Sequence, residues 1–473
     1  MITTKIVICH KGRSMENAKI GLPSAIFMVL ASMIGTGIFG VSGILQANLL
    51  DPKVILICWI IGGFIAVAGA LCYSEIAANY PLVGGEYAYL KCLYGDLPAF
   101  LTGWISVFVG FSAPIAATSY LFAEYFQKAI FSLGYENMAL IIGKYQSLIG
   151  SMLVILLSLI HIFGVKKGLI FQNLITFLKV AIILILLSFG FHYAFADQFE
   201  TLRINMMGIN TLRYDKLAAA FLMISFSFSG WNAAIYLGSE IRDARKNIPK
   251  AMLWGTSLTM LLYLFVHLML YATLNTEVIA GETALLAVVA GKVLADAGSL
   301  DVALNVCLCL VLLSSVSVNI LLGSRVCFAM GNNVPSLNFL SKKSKKYQTP
   351  ALAILMQAGI AIAYLLTGSF SGIIIYMGFS LSIFPMLTVG GMWVLRRRLN
   401  GKEMNYSSPF FPVLPIFFIG SSLLISCVNL FQNTIESLVS ICVLGAGIAV
   451  YLIADTKKKK IAVSQVSKPQ PST

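Results

Sequence analysis

The chain is a succession of apolar runs, and their length constrains its fold more than any other feature. A hydrocarbon core about 30 Å thick is crossed by about 20 helical residues. Twelve runs are of that order: 20–46, 54–79, 98–126, 146–164, 168–192, 216–239, 250–274, 300–329, 349–367, 370–396, 410–431 and 434–454. Lipid offers no partner to a backbone amide or carbonyl, so such runs fold as helices that bond internally. Hydrophobic residues make up 58% of the chain and charged residues 11%, too little charge to cover a water-facing surface. The fold class expected is an all-α membrane protein with twelve transmembrane helices. The first run is longer than a signal-peptide core and precedes no small-residue cleavage site, so it reads as a retained span.

Basic residues orient the spans. With the N-terminus inside, the 33 Lys and Arg divide 25 on the cytoplasmic side to seven outside, with Lys179 left within a span. That bias puts both termini in the cytoplasm, in the plasma (inner) membrane. It also explains the net charge of +14 as topology, so the lipid bilayer is the expected partner and nucleic acid is not. The segments 1–19 and 455–473 read as a cytoplasmic leader and a disordered tail whose lysine run anchors topology. Thr276 to Asp296 is the largest external loop, with enough Ala, Leu and Val for short helices. The nine cysteines read as small apolar side chains, and no metal site is expected.

The stretch "SMIGTGIFGV" (32–41) carries Gly35, Gly37 and Gly40 in the spacing G-x-G-x-x-G. A dinucleotide loop of that form joins a strand to a helix, and here the glycines lie inside an apolar span. Two explanations remain: close helix packing on small residues, or a helix broken at the membrane midplane that exposes backbone amides to an anion. A matching interruption five spans later favours the break. "FSFSGWNAAIYLGSE" (226–240) places Ser-Gly-Trp-Asn mid-membrane. Broken helices at corresponding places in two halves mark inverted repeats. The halves are 20–192 and 216–396, a LeuT-type 5+5 inverted repeat, followed by two accessory helices over 410–454.

Four stretches then resemble one family. "ASMIGTGIFG", "YSEIAANYPLVGGEYAYLKCLYGDLPAFLTGW", "SFSGWNAAIYLGSEIRDARKNIPKAM" and "GSRVCFAMGNNVP" are similar, in order and in span, to motifs of amino acid–polyamine–organocation (APC) permeases. The Gly-Trp-Asn form is most similar to the L-type amino acid transporter branch. One departure stands out: the family's Glu-Glu-Val-x-Asn-Pro loop is here Ser239-Glu240-Ile241-Arg242-Asp243-Ala244, which puts the length of that helix end in doubt.

The resemblance implies a substrate site. The substrate carboxylate would meet backbone amides at Thr36 and Gly37, beside Gly35, and the Thr36 hydroxyl. The ammonium would meet carbonyls of Met33, Phe226 and Ser229. Phe226 or Phe228 would close as an aromatic gate, and Trp231 and Asn232 would line the side-chain pocket. Broken helices supply partial charges of both signs without burying full ones. Lys179 sits twelve residues into its span, too deep to snorkel, and an intramembrane lysine is functional by default. By resemblance it replaces the ion of sodium-coupled relatives, touching carbonyls of the first break and Ser314, Ser315 or Ser317. His161, His192 and His267 read as packing or interfacial residues, and Glu75 and Glu240 as members of cytoplasmic salt bridges. Glu124 is a weaker candidate for biasing a cationic substrate.

The expectation is a permease rather than an enzyme, needing no cofactor and moving amino acids by sodium-independent alternating access. Neutral substrates are favoured because no acidic residue is expected deep in the pocket. A cationic amino acid or polyamine transporter is the alternative. Exchange and proton coupling stay open, and no accessory subunit is legible. A non-transporting amino-acid receptor on this fold would carry a larger signalling tail.

Overall fold

The computed structural model describes residues 20–163, 165–207, 213–282, 285–293, 300–367, 370–399, 404–432 and 438–453. The expected leader and tail, and the boundary near Ser369, lie outside them. The described residues are helical, with two isolated β-bridges between loops.

The first run forms two helices, α1 (Leu22–Met33) and α2 (Thr36–Leu49). Proline in the first turn opens α1, where no amide partner is needed. The helix stops at Ile34, whose ψ of 98° is extended, and Gly35 caps α2. Helix α3 (Pro52–Asn79) starts where the Asp51 carboxylate accepts the Lys53 amide at 2.8 Å. The short α4 (Glu86–Tyr94) lies between the spanning helices and is bracketed by Gly85 and Gly95. Gly85 has φ +55°, and a Cβ there would stand 2.4 Å from the Tyr236 ring, so only glycine fits. Next come α5 (Asp96–Ile105), a π-helical stretch over Ser106–Phe111 and α6 (Ser112–Ser132), which run on as one span.

Helix α7 (Glu136–Lys144) meets α8 (Gln146–Ile162) at 80°. Then follow α9 (Val165–Ala196), α10 (Glu200–Met207) and α11 (Leu217–Ser227). The sixth run breaks after Ser227 and does not resume as an α-helix. Only a 3-10 turn, Ala233–Tyr236, follows. The next segment is tied down by pairing instead: the Ile20 amide donates to Glu240 and the Arg242 amide to Ile20. Helix α12 (Ala244–Thr273) begins beyond it. The loop that departs from the family pattern therefore ends a turn, and not a long helix.

The stretch after α12 holds α13 (Thr276–Ile279) and α14 (Leu285–Val293). The remaining helices are α15 (Leu300–Asn333), α16 (Ala351–Thr367), α17 (Phe370–Leu399), α18 (Val413–Gln432) and α19 (Leu438–Ile453). Among the described residues, five helices are long and apolar enough to cross a membrane alone, and six with the bent α7–α8 pair. Large apolar side chains such as Phe64, Met152 and Phe177 cover the outside, as lipid requires.

Two packings place the centre. Helix α15 lies along α6, and α12 lies along α3 and α1. Helix α9 crosses between α15, α12 and α1, which brings its midpoint to the first break. Among the described residues seven cysteines are free thiols, whereas Cys92 is disulfide-bonded, so the reading as small apolar side chains does not extend to Cys92.

Candidate functional site

A cavity of about 170 Å³ lies between the two breaks, large enough for a small molecule and too small for a peptide. Met33, Gly35 and Gly37 line it from the first break; Phe226, Phe228, Ser229, Trp231 and Asn232 line it from the second. A broken helix leaves its last carbonyls and first amides without helical partners, so partial charges of both signs face one space. The side chain of Thr36 lies outside the described residues, so only its place at the start of α2 is fixed.

Part of this polarity is already engaged. The Tyr263 hydroxyl of α12 donates to the Met33 carbonyl at 2.6 Å and stands 3.1 Å from the Ser227 carbonyl. The Ser229 amide donates to the Phe226 carbonyl at 2.8 Å. Tyr263 thus ties the two breaks together. Sequence reasoning missed it, because a tyrosine in an apolar span gives no positional signal. Its ring packs on Trp59 and Phe228, with centroids 5.4 and 5.2 Å away. Phe228 is therefore held in an aromatic cluster, while Phe226 lies on the cavity wall.

Lys179 is fully buried, and its Nζ donates to the Ala31 carbonyl at 3.2 Å, the Ile34 carbonyl at 2.6 Å and Ser315 Oγ at 2.7 Å. Ser315 Oγ donates in turn to the Ile34 carbonyl at 2.6 Å. One amino group and one hydroxyl thus satisfy the end of α1 and join it to α9 and α15. The neighbouring serines do other work. Ser314 lies within hydrogen-bond distance of Gln172 and Thr176, and Ser317 faces His161 at 2.9 Å. Successive helical residues point about 100° apart, so three nearby serines cannot share one partner.

The glycines divide by task. A Cβ on Gly37 would lie 2.4 Å from the Ser227 Cα, so α2 and α11 touch there backbone to backbone. A Cβ on Gly35 would meet Ser315 Oγ at 3.2 Å, a tighter contact than usual with a side chain that can give. Packing and breakage, weighed as rivals from the sequence, occur two residues apart.

The expectation of a pocket free of acidic groups does not hold. Glu86, the first residue of α4, lines the cavity and is 5% exposed. Its Oε1 accepts from the Tyr73 hydroxyl at 2.9 Å and from the Asn232 amide at 2.7 Å. Burial pushes the carboxyl up to about 7, against the pull of those two hydrogen bonds. In the sequence Glu86 reads as an acidic first-turn residue of a short helix, the place where a glutamate is ordinarily solvated.

Glu75 and Glu240 are paired with arginines instead. Arg396 pairs with the buried Glu75, its Nε at 2.8 Å and Nη2 at 2.7 Å from the carboxylate, and Glu75 also accepts the Ser408 amide at 2.7 Å. Arg325 stands 3.5 Å from Glu240. His267 is packed under Trp59, and its Nδ1 is 2.8 Å from the Tyr263 carbonyl. Glu124 and His192 are not among the residues lining the cavity.

The model of the amino acid permease family matches residues 20–451. The serine/threonine exchanger of Bacillus subtilis (strain 168) is 28% identical, over 93% of this chain and 97% of that protein. The b(0,+)-type amino acid transporter 1 of Mus musculus is 27% identical, over 86% of this chain and 81% of its own length. The human large neutral amino acids transporter small subunit 2 is 26% identical, over 92% and 80%. With a match across nearly the whole chain, and a cavity set between two broken membrane helices, this protein belongs to the amino acid permease family of the APC superfamily.

Proposed function

We propose that this permease is a secondary transporter that carries amino acids across the membrane by alternating access about the cavity between its two breaks. The observation that carries the reading is the pairing of those breaks around one small cavity, with Lys179 bonded behind the first of them. An amino acid brings one anion and one cation. Half-helix amides at Thr36 and Gly37 suit the carboxylate, and the Ser229 carbonyl with the outer lone pairs at Met33 and Phe226 suits the ammonium. The relatives named above, a serine/threonine exchanger and two amino acid transporters, support that substrate class.

The finer reading has four parts. The topology is twelve spans in a 5+5 inverted repeat with two added helices, both termini in the cytoplasm, in the plasma membrane. Neutral amino acids fill the apolar wall formed by Phe226, Trp231 and Ile65. Phe226 serves as the gate, because Phe228 is already packed. Transport is independent of sodium, since the Lys179 ammonium already satisfies the carbonyls that an ion would bind. Such a fixed charge suits exchange, and a lysine that released its proton in one conformation would suit proton coupling.

The test is uptake of a labelled amino acid into proteoliposomes against a panel of unlabelled ones. Choline replaces sodium, a pH gradient is imposed, and the lumen is loaded or empty. Uptake without sodium that needs internal amino acid supports exchange, and stimulation by an inward proton gradient supports symport. No uptake or binding of any amino acid refutes the reading.

A further inference from the structure

Glu86 has no place in the binding scheme above, which uses helix ends for both charges of the substrate. It is nonetheless a buried carboxyl on the wall of the substrate cavity. Buried acids are rare unless paired, and among the described residues no salt bridge includes Glu86. The groups that face it are neutral. Tyr73 of α3 and Asn232 of the second break donate to one oxygen, and the phenols of Tyr89 and Tyr236 lie close enough to feel its charge. Thr102 of α5 lines the same cavity.

The cations on the surrounding elements are engaged elsewhere. Lys91 of α4 bonds Asn333 and stands 3.9 Å from Asp96. Arg396 of α17 holds Glu75, and Arg398 donates to the carbonyls of Cys92 and Leu93. Arg325 of α15 faces Glu240. Among the described residues the protein thus supplies a carboxyl to its cavity without a paired countercharge.

We propose that Glu86 is the side-chain subsite of the cavity, and that it receives the ammonium or guanidinium of a cationic amino acid. The inference rests on the transporter reading and widens its substrate class from neutral amino acids to basic ones. The placement is suitable, because Asn232 joins the carboxyl to the same break that lines the substrate's own seat. A substrate anchored by its α-carboxylate and α-ammonium between the breaks extends its side chain toward Glu86. A charge-assisted bond to a buried carboxylate is strong where water is excluded.

Protonation follows from the same geometry. A carboxyl that burial has raised to about 7 is largely protonated at mildly acid pH, where it suits a neutral side chain. A cation favours the ionised form, so a basic substrate releases a proton on binding. Its apparent affinity therefore rises as pH passes upward through the carboxyl's titration range and levels off above it. A neutral substrate leaves that equilibrium nearly alone.

The experiment measures how unlabelled L-lysine and L-norleucine, of similar chain length, compete with a labelled neutral amino acid in proteoliposomes. Wild type is compared with Glu86→Gln, which keeps an oxygen for Tyr73 and Asn232 but not the charge, and with Glu86→Asp. The concentration of lysine needed, relative to norleucine, should rise about tenfold or more in Glu86→Gln and much less in Glu86→Asp. In wild type that ratio should fall by several-fold between about pH 6 and about pH 8, a trend that Glu86→Gln loses. Lysine that fails to compete in wild type overturns the inference, as does a ratio that neither the Gln substitution nor pH changes. Should Glu86→Gln not assemble, the wild-type pH series decides alone. Failure of every amino acid to bind wild type would instead overturn the transporter reading.

Discussion

Replacing Lys179 by alanine tests the part of the site where charge, burial and helix breakage meet. The substitution removes three hydrogen bonds, to the Ala31 and Ile34 carbonyls and to Ser315 Oγ. The Ile34 carbonyl keeps its bond from Ser315, whereas among the described residues no second donor reaches the Ala31 carbonyl. One orphaned buried acceptor costs about 1–3 kcal/mol, and the space left by the lysine stem adds a cavity term, for a total of about 2–5 kcal/mol. Against this, removing a buried charge returns a desolvation penalty of several kcal/mol. The terms nearly cancel for folding, so Lys179→Ala should unfold thermally close to wild type. They do not cancel for the geometry of the break, because among the described residues no other ionisable side chain joins α9 and α15 to the end of α1. A loss of about 2 kcal/mol there corresponds to about 30-fold, so uptake in sodium-free proteoliposomes should fall by at least that factor. Lys179→Arg should rescue poorly, since a planar fork cannot present the same compact donor to two carbonyls and a hydroxyl. Near-normal uptake in Lys179→Ala, or strict sodium dependence in wild type, would refute the reasoning.

Three further outcomes are expected. Tyr263→Phe deletes the hydroxyl that bridges the Met33 and Ser227 carbonyls; substrate affinity in a scintillation proximity assay should drop about tenfold, and an unchanged affinity would mean that the bridge is idle. Gly37→Ala forces a methyl group against the Ser227 backbone and should destabilise the protein by about 1–3 kcal/mol in thermal unfolding. Gly35→Ala meets only the movable Ser315 side chain and should be milder, so equal effects would contradict the backbone contact. A reporter fused after Thr473 should be active only in the cytoplasm if the excess of Lys and Arg sets the topology.

Helix placement was legible because it depends on local composition. Apolar length marked the long helices, and the glycines at 35 and 37 with Ser-Gly-Trp-Asn at 229–232 marked both interruptions. Lys179 was legible for a similar reason, since a charge deep in an apolar run is anomalous without any knowledge of neighbours. What the sequence hid depends on approach between distant segments. Ser314, Ser315 and Ser317 look equivalent as a list, yet helical rotation sends them to different partners, and only the register of α15 against α9 selects Ser315. Tyr263 is anonymous until α12 packs beside both breaks. Glu86 is the sharpest case. At the start of a short helix it resembles a solvated first-turn acid, and the turn at Gly85 buries it by letting Tyr236 close over the backbone. Sequence therefore located the two breaks, which follow from where helices stop. It missed the acidic side chain, which follows from what those helices are packed against, and under the proposal above this is the group on which the choice between neutral and basic substrates turns.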